Sequence, residues 1–358
     1  MSEELENIEE GAEAEVEAVE EESIEEEAAG EAVGEEVTEE AATEVKSEEN
    51  KKDKKPEKKE VGDEAATKVA AKTTAKAEKK AKREGEEGKG RVIVITSGKG
   101  GVGKTTTSAN IGTALAKDGY KVVLIDTDIG LRNLDLLLGL ENRIVYTIVD
   151  VVEERCKLKQ ALVKDKKSPN LCLLAAAQTR DKSAVSAEQL QDICWDLKKE
   201  FDFVLLDCPA GIEQGFQNAT AGAKEAIVVT TPEMSAIRDA DRIIGLLEAK
   251  EEIETYRLLI NRVRPQMVKN QDMMSVDDVV EILRAELIGV IPEDGGVITS
   301  TNKGEPIVND EKSLAGTAYK NVAKRILGEE VPFLDINEPK NIVEKIKKFF
   351  TKVSGGAK

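Results

Sequence analysis

Between a β-branched run, Arg91-Val-Ile-Val-Ile-Thr-Ser97, and a helix-like stretch from Thr105 to Lys117 lies the octapeptide Gly98-Lys-Gly-Gly-Val-Gly-Lys-Thr105. It constrains the chain more than any other segment, because it fits G-x-x-x-x-G-K-[ST] and has the strand before it and the helix after it that the pattern requires. Phosphate oxygens need many donors at close range. Gly100, Gly101 and Gly103 let backbone N–H groups approach such an anion, and the helix start adds its positive dipole end. Lys104 is then expected to bridge the β- and γ-phosphates of a nucleotide, and Thr105 to give its hydroxyl to Mg2+. Asp207, closing the apolar strand Phe203-Val-Leu-Leu-Asp207, is the expected acidic partner of that ion, through water.

The alternation of strand and helix continues past this segment. Strand-like runs fall at 121–126, 171–175, 203–207, 226–230, 256–261 and 287–291, and periodic helical segments at 187–200, 235–249 and 276–284. Continuous apolar strands alternating with helices predict an α/β fold, a doubly wound and mostly parallel sheet with helices on both faces. Ligand chemistry in such a sheet sits at the carboxyl ends of the strands. One domain over 91–335 accommodates the whole pattern.

The residues before Arg91 read differently. Residues 1–50 hold 22 Glu and one Lys, and their charge of 1 − 22 = −21 leaves +2 of the chain's −19 to everything else. With no aromatic residue and few large apolar ones, this segment cannot bury enough surface to offset ordering entropy, so an acidic disordered tail is expected there. Residues 51–90 switch to a Lys/Ala/Glu mixture without a sustained apolar stripe, the composition of a charged linker. The start Met1-Ser-Glu-Glu offers neither the basic residues nor the apolar stretch of a secretory signal, and no run approaches a membrane span. A cytoplasmic protein is expected. The four cysteines, Cys156, Cys172, Cys194 and Cys208, are irregularly spaced in apolar surroundings, which argues against a disulfide framework or a zinc site. The chain has no histidine, so proton chemistry falls to carboxylates, lysines or water.

The nonapeptide Gly98-Lys-Gly-Gly-Val-Gly-Lys-Thr-Thr106 resembles the deviant Walker A motif of the ParA/MinD family of P-loop ATPases. The resemblance implies ATP with Mg2+ as ligands, the residues from Gly98 to Thr106, Val102 and Thr106 included, as the phosphate cradle, and hydrolysis in an ATP-bound homodimer. Lys99 matches the signature lysine that reaches across such a dimer to the partner's nucleotide. Asp126-Thr-Asp128 resembles the family's first switch, which implies that Asp128 positions the attacking water and makes Asp126 a further candidate beside the metal. Asp207-Cys-Pro-Ala-Gly211 is similar to the Walker B segment and second switch. Asn261-Arg262, and Pro292 with Asp294, match positions that contact adenine in that family.

Longer segments, among them Asp128-Ile-Gly-Leu-Arg-Asn-Leu-Asp-Leu136, Gln178-Thr-Arg-Asp-Lys182 and Gly289-Val-Ile-Pro-Glu-Asp294, resemble the septum-site-determining branch of the family more than its chromosome-partitioning relatives. That branch implies partners: the division inhibitor MinC and the activator MinE, or equivalents, near Arg238, Asp239 and Asp241. The extension 1–90 departs from the family's pattern. At the other end, Ile342, Val343, Ile346, Phe349 and Phe350 fall at helical spacing with Lys345, Lys347, Lys348 and Lys352 alongside, so an amphipathic, cationic helix is expected over 339–353. The pattern alone leaves packing on the domain and binding to a membrane open. The family's terminal membrane-targeting helix favours attachment to an anionic membrane, peripheral on its inner face. Two other readings stand beside this one: a DNA- or cargo-partitioning ATPase with a basic nucleic-acid surface, and a carrier holding a metal cluster between subunits on paired cysteines.

Overall fold

The computed structural model describes residues 89–335. The acidic segment 1–50, nearly all of the linker 51–90 and the helix expected over 339–353 lie outside the described residues. Eight strands form one sheet: β1 (Arg91–Thr96), β2 (Val122–Asp126), β3 (Leu162–Lys164), β4 (Leu171–Leu174), β5 (Phe203–Asp207), β6 (Glu225–Thr230), β7 (Thr255–Val263) and β8 (Glu286–Pro292). Their order is β3-β4-β2-β5-β1-β6-β7-β8, parallel throughout except for β3, which runs antiparallel to β4 at one edge. The parallel strands fall where the apolar runs place them. β3 escapes sequence reading because three residues, two half-buried and one exposed, carry no periodicity.

Why the central strands are apolar at every position follows from which layer each side chain enters. Val92 and Val94 pack on one side with Val123, Ile125, Val204 and Leu206, whereas Ile93 and Ile95 pack on the other with Val122, Leu124, Phe203 and Leu205. Both faces are covered. Among the longer helices, α1 (Lys104–Lys117) and α6 (Leu314–Ile326) close the second side, while α2 (Ala187–Leu197), α3 (Gln214–Ala221), α4 (Met234–Glu248) and α5 (Val276–Leu283) close the first. Helices α2 and α5 begin as their sequences prescribe, on capping boxes at Ser186 with Gln189 and at Ser275 with Asp278.

Two arginines tie the far end of this sheet together. The Arg91 guanidinium bridges to Glu225 at 2.6 Å and 2.7 Å, donates to the Ile326 carbonyl at the end of α6 and lies over the Phe203 ring. Arg325 donates to the carbonyls of Ile288, Val331 and Pro332 and stacks on Phe333, fixing the chain just after α6. Helix α6 itself sits close on β8, where a Cβ added to Gly289 would meet Val322 Cγ2 at 2.4 Å. Gly289→Ala is therefore expected to overpack this contact and lower stability by about 1–3 kcal/mol, read as a lower midpoint in urea unfolding.

Candidate functional site

At the carboxyl end of β1 the chain turns through Gly98–Gly103 into α1. Gly103 takes φ 96° and caps α1, whose first turn has no side-chain cap. The orphan amides and positive dipole end of a fourteen-residue helix are thus presented to the loop, as an anion requires. The loop is braced from beneath. Asn261 on β7 donates its amide to the Val102 carbonyl at 2.8 Å, and Thr107 Oγ1 donates to the Gly103 carbonyl at 2.9 Å. A Cβ at Gly103 would stand 2.2 Å from Asn261 Nδ2, and one at Gly98 would stand 2.3 Å from the Asp239 carbonyl oxygen of α4. These close approaches require glycine at both ends of the turn.

The middle of the turn is different. Gly100 and Gly101 are exposed, and a Cβ added at either would meet nothing within 4 Å. At Gly101 the requirement is one of backbone conformation, since its φ of 79° lies in the left-handed region. At Gly100 neither the protein's own packing nor a positive φ calls for glycine, so the expectation that it serves close approach concerns an incoming anion and not the fold. Val102, next in line, is buried, and Thr106 is half-buried in the first turn of α1 with its carbonyl accepting from Asn110 Nδ2.

Lys104 is buried although cationic, and the Asp207 carboxylate at the end of β5 is the charge that answers it. Asp126 of β2 and Asp207 of β5 are register partners, each buried. Burial pushes the Asp207 carboxyl up, while the Lys104 cation and hydrogen bonds from Ser108 and Thr105 pull it back. Ser108 Oγ lies 2.8 Å from Asp207 Oδ1. Burial, then the neighbouring Asp207, raise Asp126 to about 7. Both Asp126 oxygens have backbone partners: Oδ1 accepts from Asp128 N at 3.0 Å, and Oδ2 from Asn133 N and Leu134 N at 3.2 Å. Asp126 thereby shapes the loop that carries Asp128.

That loop is tied down on its other side as well. Thr127 gives both its N–H and its hydroxyl to the Asp207 carbonyl, and Gly130 N donates to the Ala177 carbonyl. Arg132, in the left-handed region at φ 45°, pairs with the buried Asp135 at 2.8 Å. Asp128 itself is half-buried, near enough to Asp207 to raise that carboxyl. The segment after Asp207 is joined to the phosphate loop through Gly211 N, which donates to the Ser97 carbonyl at 3.1 Å.

The remaining residues singled out from the sequence surround this centre. Lys99 is exposed and donates to Ser235 Oγ of its own chain at 2.9 Å. Arg238 and Asp241 are exposed on α4, with Asp239 half-buried against the loop. Pairing of Val263 with Pro292 brings Asn261 and Arg262 next to Pro292 and Asp294. Arg262 is exposed, beside a groove of about 800 Å³ that also includes Met234, Arg264 and Glu293. Asp294 accepts from Gly296 N at 2.9 Å and Ser313 Oγ at 2.8 Å. Ile342, Val343, Ile346, Phe349 and Phe350 lie outside the described residues.

Sequence reading passed over Ser108, Thr107 and the bracing role of Asn261. A polar run, Thr105-Thr-Thr-Ser-Ala-Asn110, in a helix buried on nearly every side was the available signal. The donor set suits Mg2+, which takes oxygen ligands and leans on substrate phosphates rather than on an all-protein cage. Among the described residues no group of three or more Cys, Asp or Glu could hold a metal on its own, while Thr105 and Asp207 offer a hydroxyl and a carboxylate at the loop.

Fold and site together define a P-loop nucleotide-binding protein with a second lysine in its loop. The model of the CobQ/CobB/MinD/ParA nucleotide binding domain matches residues 93–307. The septum site-determining protein MinD of Bacillus subtilis (strain 168) is 60% identical over 263 residues, 73% of this chain and 98% of that protein. The MinC:MinD cell division protein complex of Aquifex aeolicus superposes with a TM-score of 0.63 at 53% identity, covering 68% of this chain and 97% of that one. The Pyrococcus horikoshii septum site-determining protein MinD complexed with Mg-ADP gives 0.61 at 31% identity, with 66% and 95% covered. The chain belongs to the MinD family of septum site-determining proteins.

Because Gly103 is held by both its φ and Asn261, Gly103→Ala is expected to abolish nucleotide binding in isothermal titration while the far-ultraviolet circular dichroism stays that of the parent.

Proposed function

We propose that the chain is a Mg2+-dependent ATPase that dimerises face to face on ATP, attaches to an anionic membrane and helps position the division septum. The observation that carries this reading is the buried set of Lys104 and Asp207 at the N-terminus of α1, which no side chain caps, with Lys99 on the rim of the same loop. Such a set favours the charge of a nucleoside triphosphate over any neutral ligand.

In this mechanism Lys104 donates to the β- and γ-phosphate oxygens while the loop amides, those of Gly100 and Gly101 among them, hold the rest of the triphosphate. Thr105 and Asp207, with Asp126 behind them, are the residues that would hold Mg2+, which supplies neutralisation of phosphate charge when bound. Lys99 leaves Ser235 and reaches the nucleotide of a second copy, adding positive charge where it is needed. Asp128 accepts a hydrogen bond from water and aims its oxygen at the γ-phosphorus; the new P–O bond forms as the bond to the ADP oxygen breaks. Asp128 need not be a strong base, because positioning and charge stabilisation carry most of phosphoryl transfer. Asn261, Arg262, Pro292 and Asp294 are assigned to the adenine side.

The A. aeolicus complex with MinC supports a division inhibitor as partner, and Arg238, Asp239 and Asp241 are the candidate contact surface. No helix among the described residues is long and apolar enough to cross a membrane. Attachment is assigned to the amphipathic pattern over 339–353, on the inner face of the cell membrane. One such helix binds weakly, and two on one dimer multiply through effective concentration, so ATP switches the attachment on.

Asp128→Ala is expected to dimerise with ATP yet lose at least a hundredfold in turnover, on the order of what one positioned group contributes, whereas Lys104→Ala is expected neither to dimerise nor to hydrolyse ATP. Gel filtration and phosphate release read the two properties separately, and unchanged turnover in Asp128→Ala removes its role. Sedimentation with anionic liposomes is expected to need ATP and to vanish in a chain ending at Pro339. Salt-sensitive DNA binding that survives this truncation would instead support the partitioning reading.

A further inference from the structure

Helix α1 sends two hydroxyls to one carboxylate. Thr105 and Ser108 are three residues apart, on one face of the helix; Ser108 Oγ donates to Asp207 Oδ1 at 2.8 Å, and the Thr105 hydroxyl is near enough to help pull the Asp207 carboxyl down. Their surroundings differ. Thr105 is half-buried at the loop, whereas Ser108 has no exposed surface.

A buried helical hydroxyl ordinarily satisfies itself on the carbonyl one turn back, as Thr113 does on Ala109 at 2.8 Å and Thr220 on Phe216 at 2.8 Å. Ser108 has that option in the Lys104 carbonyl at 3.1 Å, yet Asp207 Oδ1 is nearer, at 2.8 Å. A hydroxyl has one hydrogen, and the shorter, charge-assisted partner takes it. Ser108 therefore does not need Asp207 for its own satisfaction. Asp207 needs Ser108: its backbone is fixed by β1 and β2, but its carboxylate turns about terminal bonds that β-pairing does not hold.

We propose that Ser108 is a positioning residue for the magnesium-bound nucleotide: it pins one oxygen of Asp207 and so fixes where the other would serve an ion held with Thr105. The division of labour follows from burial. Thr105, half-buried at the loop, is the hydroxyl that would serve the metal, and Ser108, with no exposed surface, would keep the carboxylate in place. This inference rests on the Mg2+-nucleotide reading given above, and its effect is confined to the part of nucleotide affinity that depends on Mg2+.

The test measures binding of a fluorescent ADP analogue to the full chain, once with excess Mg2+ and once with EDTA, and titrates Mg2+ between the two. Ser108→Ala is expected to raise the Mg2+ concentration at half-saturation by roughly 10–100-fold, the usual cost of removing a group that orients a metal ligand, with affinity in EDTA unchanged. Ser108→Cys, close in volume but a weak donor, is expected to fall between Ala and the parent. An unchanged Mg2+ midpoint in either variant overturns the proposal, as does an equal loss with and without Mg2+, which is the mark of a damaged loop. Failure of the parent chain to bind nucleotide in both conditions would overturn the broader reading instead, so the two failures are distinguishable.

Discussion

Two carboxylates on adjacent strands, Asp126 and Asp207, are buried side by side at the top of the sheet. Removing one such ion from water costs several kcal/mol even after relaxation, so the surroundings are bound to compensate. They do so with different means. Asp207 is answered by Lys104 and by the Ser108 hydroxyl of α1, Asp126 by three backbone amides of the loop that follows it. The first answer sets where α1 begins, and the second sets the path of Asp128. Much of the geometry at this end of the molecule follows from neutralising these two groups.

Satisfaction of buried polar groups also braces the phosphate loop. Its carbonyls at 102 and 103 are claimed by Asn261 and Thr107, and α4 closes against Gly98. Thr107 Oγ1 in turn lies 3.3 Å from the hydroxyl of Tyr319, a fully buried residue of α6. The loop is thereby supported by three elements that are distant in sequence. Preorganisation of this kind lets binding energy go into holding phosphate rather than into ordering the backbone.

How much of this could be read from the chain depends on the range of the interactions involved. The octapeptide and the apolar strands are local patterns, so the loop, α1, the parallel sheet and the placement of Lys104, Thr105 and Asp207 were legible in advance. The pattern did not separate the glycines by cause: Gly98 and Gly103 are held by neighbours far along the chain, Gly101 by its own φ, and Gly100 by neither. Ser108 and Asn261 were not assigned their contacts, because a serine in a helix and an asparagine at a strand end read the same whether they face solvent, carbonyl or carboxylate. Their meaning lies 99 and 159 residues away. β3 went unseen because three residues hold no period, and α6 because its stripe of Ala315, Ala318, Val322 and Ala323 is made of small residues.

Arg325 carries a mechanical implication. Its guanidinium holds the carbonyls of Val331 and Pro332 and is anchored in turn on Ile288 of β8. A load applied to the chain beyond Asp335 therefore meets these bonds first, and Arg325 passes it both to α6 and to β8. Bonds stretched together resist more force than bonds opened one after another. The last turn of α6, which carries Arg325, shares that tension with β8 through Ile288 before it can reach Tyr319, two turns earlier on the helix and behind the phosphate loop.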